Sequence, residues 1–181
     1  MSVLKCKNCK DVFTPKWFNW KFCSKDECHN AGIKEAATKA KDQVRKKQRK
    51  ETKMAKENLL THKDYLKLLQ TIFNTFIRLR DKDLPCVSCG KNNDKQFHAG
   101  HYRSVGSCPE LRFNELNVWR QCATCNTYLH GNLIEYRKEL INRIGVEKVE
   151  WLEGHQPSNK MLISEIKEKI KEYKTKINSL K

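Results

Sequence analysis

Apolar residues recur every three or four positions between Thr61 and Arg80, which predicts a helix with one face packed on a core. Thr61 is suited to cap the N-terminus of this helix, and Asp64 falls in its first turn. Pro85 then marks the exit into the next module. The predicted core-facing positions are Leu66, Leu69, Ile72, Phe73, Phe76, Ile77 and Leu79.

A second apolar period follows Pro157, with alternating spacings of three and four residues and with Lys and Glu in between. It covers only about two and a half heptads, and a free coiled coil of that length is marginal. The helix therefore needs a partner surface, either the helix predicted over 61 to 80 or the same segment of a second copy in a homodimer. Its apolar positions are Ile163, Ile166, Ile170, Tyr173, Ile177 and Leu180.

A basic segment without proline or aromatic residues runs from about Ile33 to Lys56 and has a helix-favouring composition. Residues 34 to 56 carry ten Lys and Arg against three acidic residues, hence a net charge of +7. Apolar positions are too few for a buried stripe, so we predict a solvated helix or a tether that orders on contact. Charges of nearly one sign favour phosphate contact over a helix that contacts nothing, and the candidate contacts are Arg45, Lys46, Lys47, Arg49 and Lys50.

The whole chain is basic: its 181 residues include 37 Lys and Arg against 21 Asp and Glu, a net charge of +16. Such an excess makes a polyanion, above all nucleic acid, the leading partner class. The start, MSVLKCKNCK, lacks the apolar region of a signal peptide, and no apolar run is long enough to span a membrane. We therefore expect a soluble, cytoplasmic protein with no membrane partner.

Nine cysteines in a non-secreted chain point to thiolate metal ligands rather than to disulfides. The first four, Cys6, Cys9, Cys23 and Cys28, have the spacing of a tetrahedral zinc site with a small hairpin between the pairs. His29 is the alternative ligand to its neighbour Cys28. All-cysteine sites leave no open coordination position, so this zinc is expected to be structural. The expected miniature core around it consists of Phe13, Trp17, Phe18, Trp20 and Phe22.

A second set of four cysteines frames the most informative part of the chain. The pairs Cys86/Cys89 and Cys122/Cys125 enclose 32 residues and predict a second structural zinc, which leaves Cys108 as a reduced thiol. Around this frame lie two histidines and an asparagine before the second pair, then an asparagine and a histidine after it. These candidates are His98, His101, Asn117, Asn126 and His130.

The register of these residues resembles a known family. A strand ending in His, an Asn near a second strand and a Cys-x2-Cys-Asn motif are similar to the ββα-metal fold of HNH endonucleases. The motifs HAGHY, LRFNELN, CNTYLHGN and EYR, with RLRD upstream, resemble more specifically the NinG (Rap) recombination endonucleases of lambdoid phages. The resemblance covers most of the chain, best from Arg78 to Gly145 and least over the basic segment and the last 25 residues.

The resemblance implies a role for each candidate. His101 matches the general base that takes a proton from water. Asn126 matches a ligand of the catalytic Mg²⁺ or Mn²⁺, on a helix that the second cysteine pair is expected to open. That helix would place Asn126 and His130 on one face, since they are four residues apart. Asn117 matches the residue that orients the base, with a turn position before a strand as the alternative.

One position departs from the family pattern. Many HNH proteins have Asp directly before the base as a metal ligand, whereas this chain has Gly100. His98, two residues earlier on the same face of the strand, is the candidate replacement, and His130 is a further one. Taken singly, either histidine could instead be a core or zinc-supporting group.

Together these features predict an α+β protein with four parts. They are an N-terminal zinc finger (1–30), a basic helical linker (31–60), a zinc-stapled HNH-type nuclease domain (61–155) and a C-terminal heptad helix (156–181). The expected function is metal-dependent cleavage of branched DNA, such as D-loops and Holliday junctions, by a phage-encoded enzyme with two zincs. The alternative is a non-catalytic zinc protein that binds nucleic acid, as a regulator or RNA-binding accessory factor.

Overall fold

A computed structural model describes residues 3–16, 19–158 and 160–180 of the chain. Trp17 and Phe18, two members of the predicted miniature core, lie outside these residues. The chain forms two compact units, residues 1–59 and residues 60–181, and the protein has a mixed α+β composition. None of the helices in the described ranges is long and apolar enough to cross a membrane.

The first unit is a small hairpin followed by one long helix. Strands β1 (Leu4–Lys5) and β2 (Val12–Phe13) pair antiparallel, with Leu4 opposite Phe13. They flank the first cysteine pair, so the prediction of a hairpin between the two pairs is wrong. The reason is that Cys6 and Cys9 themselves form the turn: the Cys6 amide donates to the Asp11 carbonyl at 2.8 Å.

The long helix α1 (Asp26–Asn58) begins earlier than the predicted start near Ile33, and its first turn carries Cys28. In this helix only Cys28 and Gly32 are buried. The remainder is in contact with solvent and is supported by local ion pairs such as Arg45–Asp42, with 2.9 Å between the charged atoms. The basic segment is therefore a solvated helix, as predicted.

The second unit is organised around α2 (His62–Arg80), whose apolar face forms the larger core. Thr61 and Asp64 make a reciprocal capping box at its N-terminus, which confirms the predicted start. The C-terminal helix α5 (Ile163–Ser179) packs along α2 and buries Ile166, Ile170 and Tyr173. Of the two partners predicted for the apolar face of α5, the structure therefore shows the intramolecular one, α2.

Between these helices the chain forms a two-stranded sheet and two shorter helices. Strand β3 (Phe97–His101) pairs antiparallel with β4 (Val118–Cys122), so that His98 lies opposite Gln121. Helices α3 (Leu133–Ile144) and α4 (Val146–Glu153) follow and bury Tyr136, Leu140, Val149 and Leu152 in a second core.

The RLRD segment ties α2 to this sheet. Asp81, only 1% exposed, accepts the Arg120 amide at 3.0 Å and pairs with the Arg80 guanidinium at 2.6 Å. The same guanidinium donates to the Val118 carbonyl at 2.9 Å and lies over the Trp119 ring. A buried ion pair with all these partners holds β4 against the end of α2.

Candidate functional site

Each predicted cysteine set comes together in space. In each cluster, the four sulfur atoms lie within 4.8 Å of one another, close enough for a single zinc ion to be bound by all four. Cys89 is exposed and Cys9 is half-buried, while the other six are buried. The members are Cys6, Cys9, Cys23 and Cys28 in the first unit, and Cys86, Cys89, Cys122 and Cys125 in the second.

Both clusters use the same backbone turn. The amide four residues after the first cysteine donates back to that cysteine's carbonyl, from Lys10 to Cys6 at 3.0 Å and from Gly90 to Cys86 at 2.9 Å. Lys10 and Gly90 have φ of 67° and 70°, the left-handed conformation that such a tight turn requires. The Cys122 amide also donates to the Cys86 sulfur at 3.3 Å. Burial by itself raises the pKa of the Cys86 thiol. Hydrogen bonds from the Cys122 amide and from further backbone amides outweigh burial, so the pKa is lowered overall, which favours the thiolate form that binds a metal.

The remaining cysteine and the alternative ligand lie elsewhere. Cys108 is buried in the second core against Leu111 and Tyr136, in keeping with a reduced structural thiol. His29 is exposed and its ring contacts Trp20, with 5.6 Å between ring centroids. The fourth candidate zinc ligand of the first cluster is therefore Cys28 and not His29.

A cleft of about 880 Å³ in the second unit brings together four of the five predicted residues: His98, His101, Asn126 and His130. Three arginines and several neutral polar side chains complete its lining, and none of its lining residues is Asp or Glu. A cleft lined by three arginines and no carboxylate has a positive potential and favours an anion. The fifth residue, Asn117, is fully buried and does not line the cleft.

His101 is held in one tautomer. Its Nε2 atom lies 3.0 Å from the carbonyl oxygen of Arg112, and because a carbonyl only accepts, Nε2 carries the proton. In the neutral ring, Nδ1 then keeps a lone pair that can take a proton. Burial lowers the pKa of His101 below its ordinary value of 6.5, although the backbone groups of Arg112 and Ala99 near the ring oppose this. The ring is therefore neutral at pH 7.

Asn117 fixes the loop that supplies this carbonyl. Asn117 is fully buried and lies in the turn directly before β4. A turn position before a strand was the alternative given for this residue from the sequence. Its Nδ2 group donates to the carbonyls of Arg103 and Leu111 at 3.0 and 3.1 Å, and its Oδ1 accepts the Arg103 amide at 2.8 Å. Leu111 precedes Arg112, so Asn117 holds the chain beside the atom that orients His101.

The helix predicted to carry Asn126 and His130 on one face does not form. The second cysteine pair instead opens a single widened turn, Thr124–Tyr128, and regular helix begins only at Leu133. His130, Gly131 and Asn132 intervene with φ of 48°, 92° and 43°. Tertiary bonds override helix propensity here, because the Gln121 side chain donates to the Gly131 carbonyl at 2.6 Å. Both predicted residues still reach the cleft.

Gly100 could not carry the Asp of the family pattern. A Cβ atom there would lie 2.2 Å from Oε1 of Gln121, whose fully buried side chain occupies the space above the strand. His98, the predicted replacement, lines the cleft, and its buried Nε2 atom has no hydrogen-bond partner among the described residues. That nitrogen is therefore available to a cation or a phosphate.

The cleft also contains residues that the sequence analysis missed. Arg78, Arg103 and Arg112 line it, and none of them is within ion-pair distance of a carboxylate in the described part of the chain. Arg112 is further held by Gln70 of α2, at 2.7 Å from Nε to Oε1. A signal was present, since each arginine lies in or next to one of the motifs RLRD, HAGHY and LRFN.

Few side chains of the cleft could serve as ligands of a divalent ion. Among the described residues, three or more His, Cys or carboxylate ligand atoms converge only in the two cysteine clusters. Asn126 offers an amide oxygen, and its side chain has no other partner in the described residues, while His98 offers the unpaired Nε2. This mixed donor set suits Mn²⁺ at least as well as Mg²⁺, with water and phosphate as the remaining ligands.

Comparisons with known proteins agree on one family. The family model described as "Bacteriophage Lambda NinG protein" matches residues 1–181. The chain is 39% identical over 190 residues to Protein ninG of Escherichia phage lambda, covering 98% of this chain and 93% of the relative. It is 37% identical over 190 residues to Protein ninG of Salmonella phage P22, again covering 98% and 93%. No solved structure matches the chain.

We expect two zinc ions per chain, since each cysteine cluster presents four thiolates to one point. Cys86→Ala should remove one zinc and abolish cooperative unfolding of the second unit, because structural zinc supplies on the order of 10 kcal/mol in small domains. Native mass spectrometry and thermal denaturation measure both effects. Cys108→Ala is the matched control and should keep both zincs; a wild-type count of one zinc would contradict the assignment.

Gly100→Ala should destabilise the second unit by about 1–3 kcal/mol, because the new methyl group overlaps the buried Gln121 side chain. The same change in a Gln121→Ala background should cost less, since Oε1 at 2.2 Å and Cδ at 3.0 Å are gone and only the Cβ atom at 2.9 Å remains. Urea denaturation of the four proteins measures this coupling. Gly106→Ala, where the nearest atom would be 3.9 Å away, is the control and should stay within about 0.5 kcal/mol. Equal costs in both backgrounds would rule out the Gln121 contact as the constraint.

Proposed function

Because the chain belongs to the NinG family of lambdoid phage proteins, whose motifs resemble those of HNH endonucleases, we propose that it is a metal-dependent DNA endonuclease. The observation that carries the proposal is the state of His101. It is a half-buried imidazole with Nε2 bound to the Arg112 carbonyl and its pKa lowered, in a cleft whose lining has no carboxylate. This is how a general base for hydrolysis of an anionic substrate would be arranged.

In the proposed reaction, Nδ1 of His101 takes a proton from the attacking water. A base that is neutral at pH 7 can do this without first losing a proton, and the bound carbonyl stabilises the imidazolium that forms. Asn117 acts through the loop rather than on the substrate, since it holds residues Arg103 and Leu111 in place.

Phosphodiester hydrolysis also accumulates negative charge on the phosphate oxygens. Arg78, Arg103 and Arg112 line the same cleft, and cations fixed there would stabilise that charge more than they stabilise the substrate. Asn126 and His98, with His130 close by in the cleft wall, are the residues that would bind a catalytic Mn²⁺ or Mg²⁺. Such an ion would supply Lewis acidity at the scissile phosphate.

The substrate we propose is branched DNA, such as a D-loop or Holliday junction. This part of the proposal comes from the family resemblance. The helix α1 supports DNA as the polymer, because it presents exposed Lys and Arg along most of its length and no aromatic side chain that could stack on a base. It would add affinity without reading sequence or shape.

We expect His101→Ala to lower the cleavage rate on a four-way junction by roughly 10²-fold or more, with DNA binding and zinc content kept. In the wild-type protein, the neutral base persists down to its lowered pKa. The pH at which the rate at saturating protein falls to half should therefore lie below 6.5, the ordinary pKa of histidine. Gel assays of cleavage with Mn²⁺, Mg²⁺ or EDTA measure both.

His155→Ala, at an exposed position outside the cleft lining, is the matched control and should cut normally. Unchanged cleavage by His101→Ala would remove His101 as the base. A wild-type protein that binds junctions tightly but cuts none of them with either metal would instead support the non-catalytic zinc protein.

We expect that neutralising Arg45, Lys46, Lys47, Arg49 and Lys50 together weakens binding to junction and linear duplex alike. The slope of log affinity against log salt should flatten by roughly 0.9 for each phosphate that the helix no longer neutralises. Cleavage at saturating protein should survive, because the cleft belongs to the other unit. Fluorescence anisotropy across a salt series measures the slope. Disappearance of junction preference with duplex binding unchanged would show that α1 reads shape instead.

A further inference from the structure

A group of exposed apolar side chains stands immediately after the second cysteine pair. Tyr128 is 76% exposed, Leu129 53%, Leu133 48% and Ile134 75%. We call residues 128–134 the apolar turn. Single exposed apolar residues are common on proteins, but four in seven positions beside a charged cleft form a surface that an interaction can use.

The apolar turn is held rigidly by the zinc-binding region. His130, Gly131 and Asn132 are all left-handed, which is costly for the two non-glycine residues unless the surroundings impose it. The Gly131 amide donates to the Cys125 carbonyl at 2.9 Å, and its carbonyl accepts the Gln121 side chain at 2.6 Å. An aromatic side chain on such a support can bind without a large loss of backbone entropy.

The turn also borders the cleft. His130, Gly131 and Leu133 line the cleft wall, so Tyr128 and Leu129 directly precede a cleft residue. Within the described residues, neither the ring nor the hydroxyl of Tyr128 has a partner. A ligand that fits both surfaces must offer anionic groups to the arginines and flat apolar faces to the turn.

Nucleotides whose bases are not stacked have this chemistry. In a continuous duplex both faces of every base are covered by their neighbours, and an aromatic ring can stack only where the base pairs are opened. We propose that the apolar turn is a base-stacking surface, with Tyr128 as its main contact, that engages unpaired bases next to the phosphate bound in the cleft. This inference rests on the proposed function for the identity of the phosphate.

A second copy of the chain is the competing occupant of an apolar surface. Each copy carries a net charge of +16, and the patch adjoins a cleft lined by arginines. Bringing two such surfaces together would place like charges side by side, which costs free energy in a closely packed interface. DNA neutralises the same charges, so the observations favour nucleic acid.

The test measures binding in buffer with no added Mg²⁺ or Mn²⁺ and no chelator, so that cleavage is avoided while the structural zincs are kept. The full-length protein is titrated with a duplex that carries two unpaired bases, one of them 2-aminopurine, and with a fully paired duplex of the same length. Tyr128→Ala should weaken binding to the unpaired DNA by roughly 10- to 100-fold and binding to the paired duplex by less than about twofold. It should also abolish the change in 2-aminopurine fluorescence.

Tyr128→Phe keeps the ring and should behave like the wild type. Trp151→Ala, which removes a 52% exposed aromatic side chain from α4, should have no effect. Equal reductions in affinity on both DNAs, or no reduction on either, would overturn the proposal. So would Tyr128→Ala dissociating a dimer in sedimentation equilibrium without changing the binding of unpaired DNA. A selective reduction in a protein that never cuts DNA would support the stacking surface and refute only the nuclease.

Discussion

The second cysteine cluster is the constraint on which the rest of the site depends. Cys86 and Cys89 precede β3, Cys122 ends β4, and Cys125 lies in the turn that leads to His130. A metal ion bound by these four cysteines would hold the sheet and the cleft-lining turn together, although 32 residues separate Cys89 from Cys122. The cores of the second unit are small, and a metal-thiolate centre can add on the order of 10 kcal/mol to such a fold. Without it, the buried sulfurs of the cluster would have no adequate partner.

A second constraint acts on the candidate base. The position of His101 depends on one carbonyl, that of Arg112, and this carbonyl is held from two sides. Asn117 fixes the neighbouring residue Leu111 through its side-chain amide, and Gln70 of α2 holds the Arg112 guanidinium. The tautomer of one histidine thus depends on a helix, on a loop and on the buried Asn117, which does not line the cleft. Such outer contacts typically decide whether a catalytic group is accurately placed.

Charge is distributed unevenly over the molecule, and this suits the proposed chemistry. The acidic residues near the cleft are used elsewhere: Asp81 pairs with Arg80, and Glu153 pairs with Arg137 at 2.7 Å. The three cleft arginines keep their charge for a ligand. In the other unit, α1 carries exposed positive charge along most of its surface. In the proposed function, electrostatic attraction of nucleic acid and local stabilisation of a phosphate would therefore fall to separate parts of the chain.

Much of the architecture could be predicted because its causes are local in the chain. The spacing of Cys6/Cys9 and Cys86/Cys89 determines a metal-binding turn, the apolar period at 61–80 determines a helix, and Thr61 with Asp64 determines where it begins. The motif register also pointed to four residues that line one cleft, His98, His101, Asn126 and His130. Each of these inferences needs only the spacing of residues that are near one another in sequence.

Contacts between remote residues decided the rest. Periodicity could not tell whether the heptad face of α5 binds α2 or a second copy, since either surface buries the same side chains. The second cysteine pair, followed by helix-favouring residues from Leu133 to Leu140, predicted a helix through His130, but Gln121 binds the Gly131 carbonyl and imposes a left-handed turn. The same Gln121 explains Gly100, and the Arg112 carbonyl selects the proton position of His101. The sequence by itself therefore determined four of the residues that line the cleft, His98, His101, Asn126 and His130. Only the tertiary structure added the three arginines, kept Asn117 out of the cleft and decided how the side chains are oriented, because these depend on hydrogen bonds and packing between segments far apart in the chain.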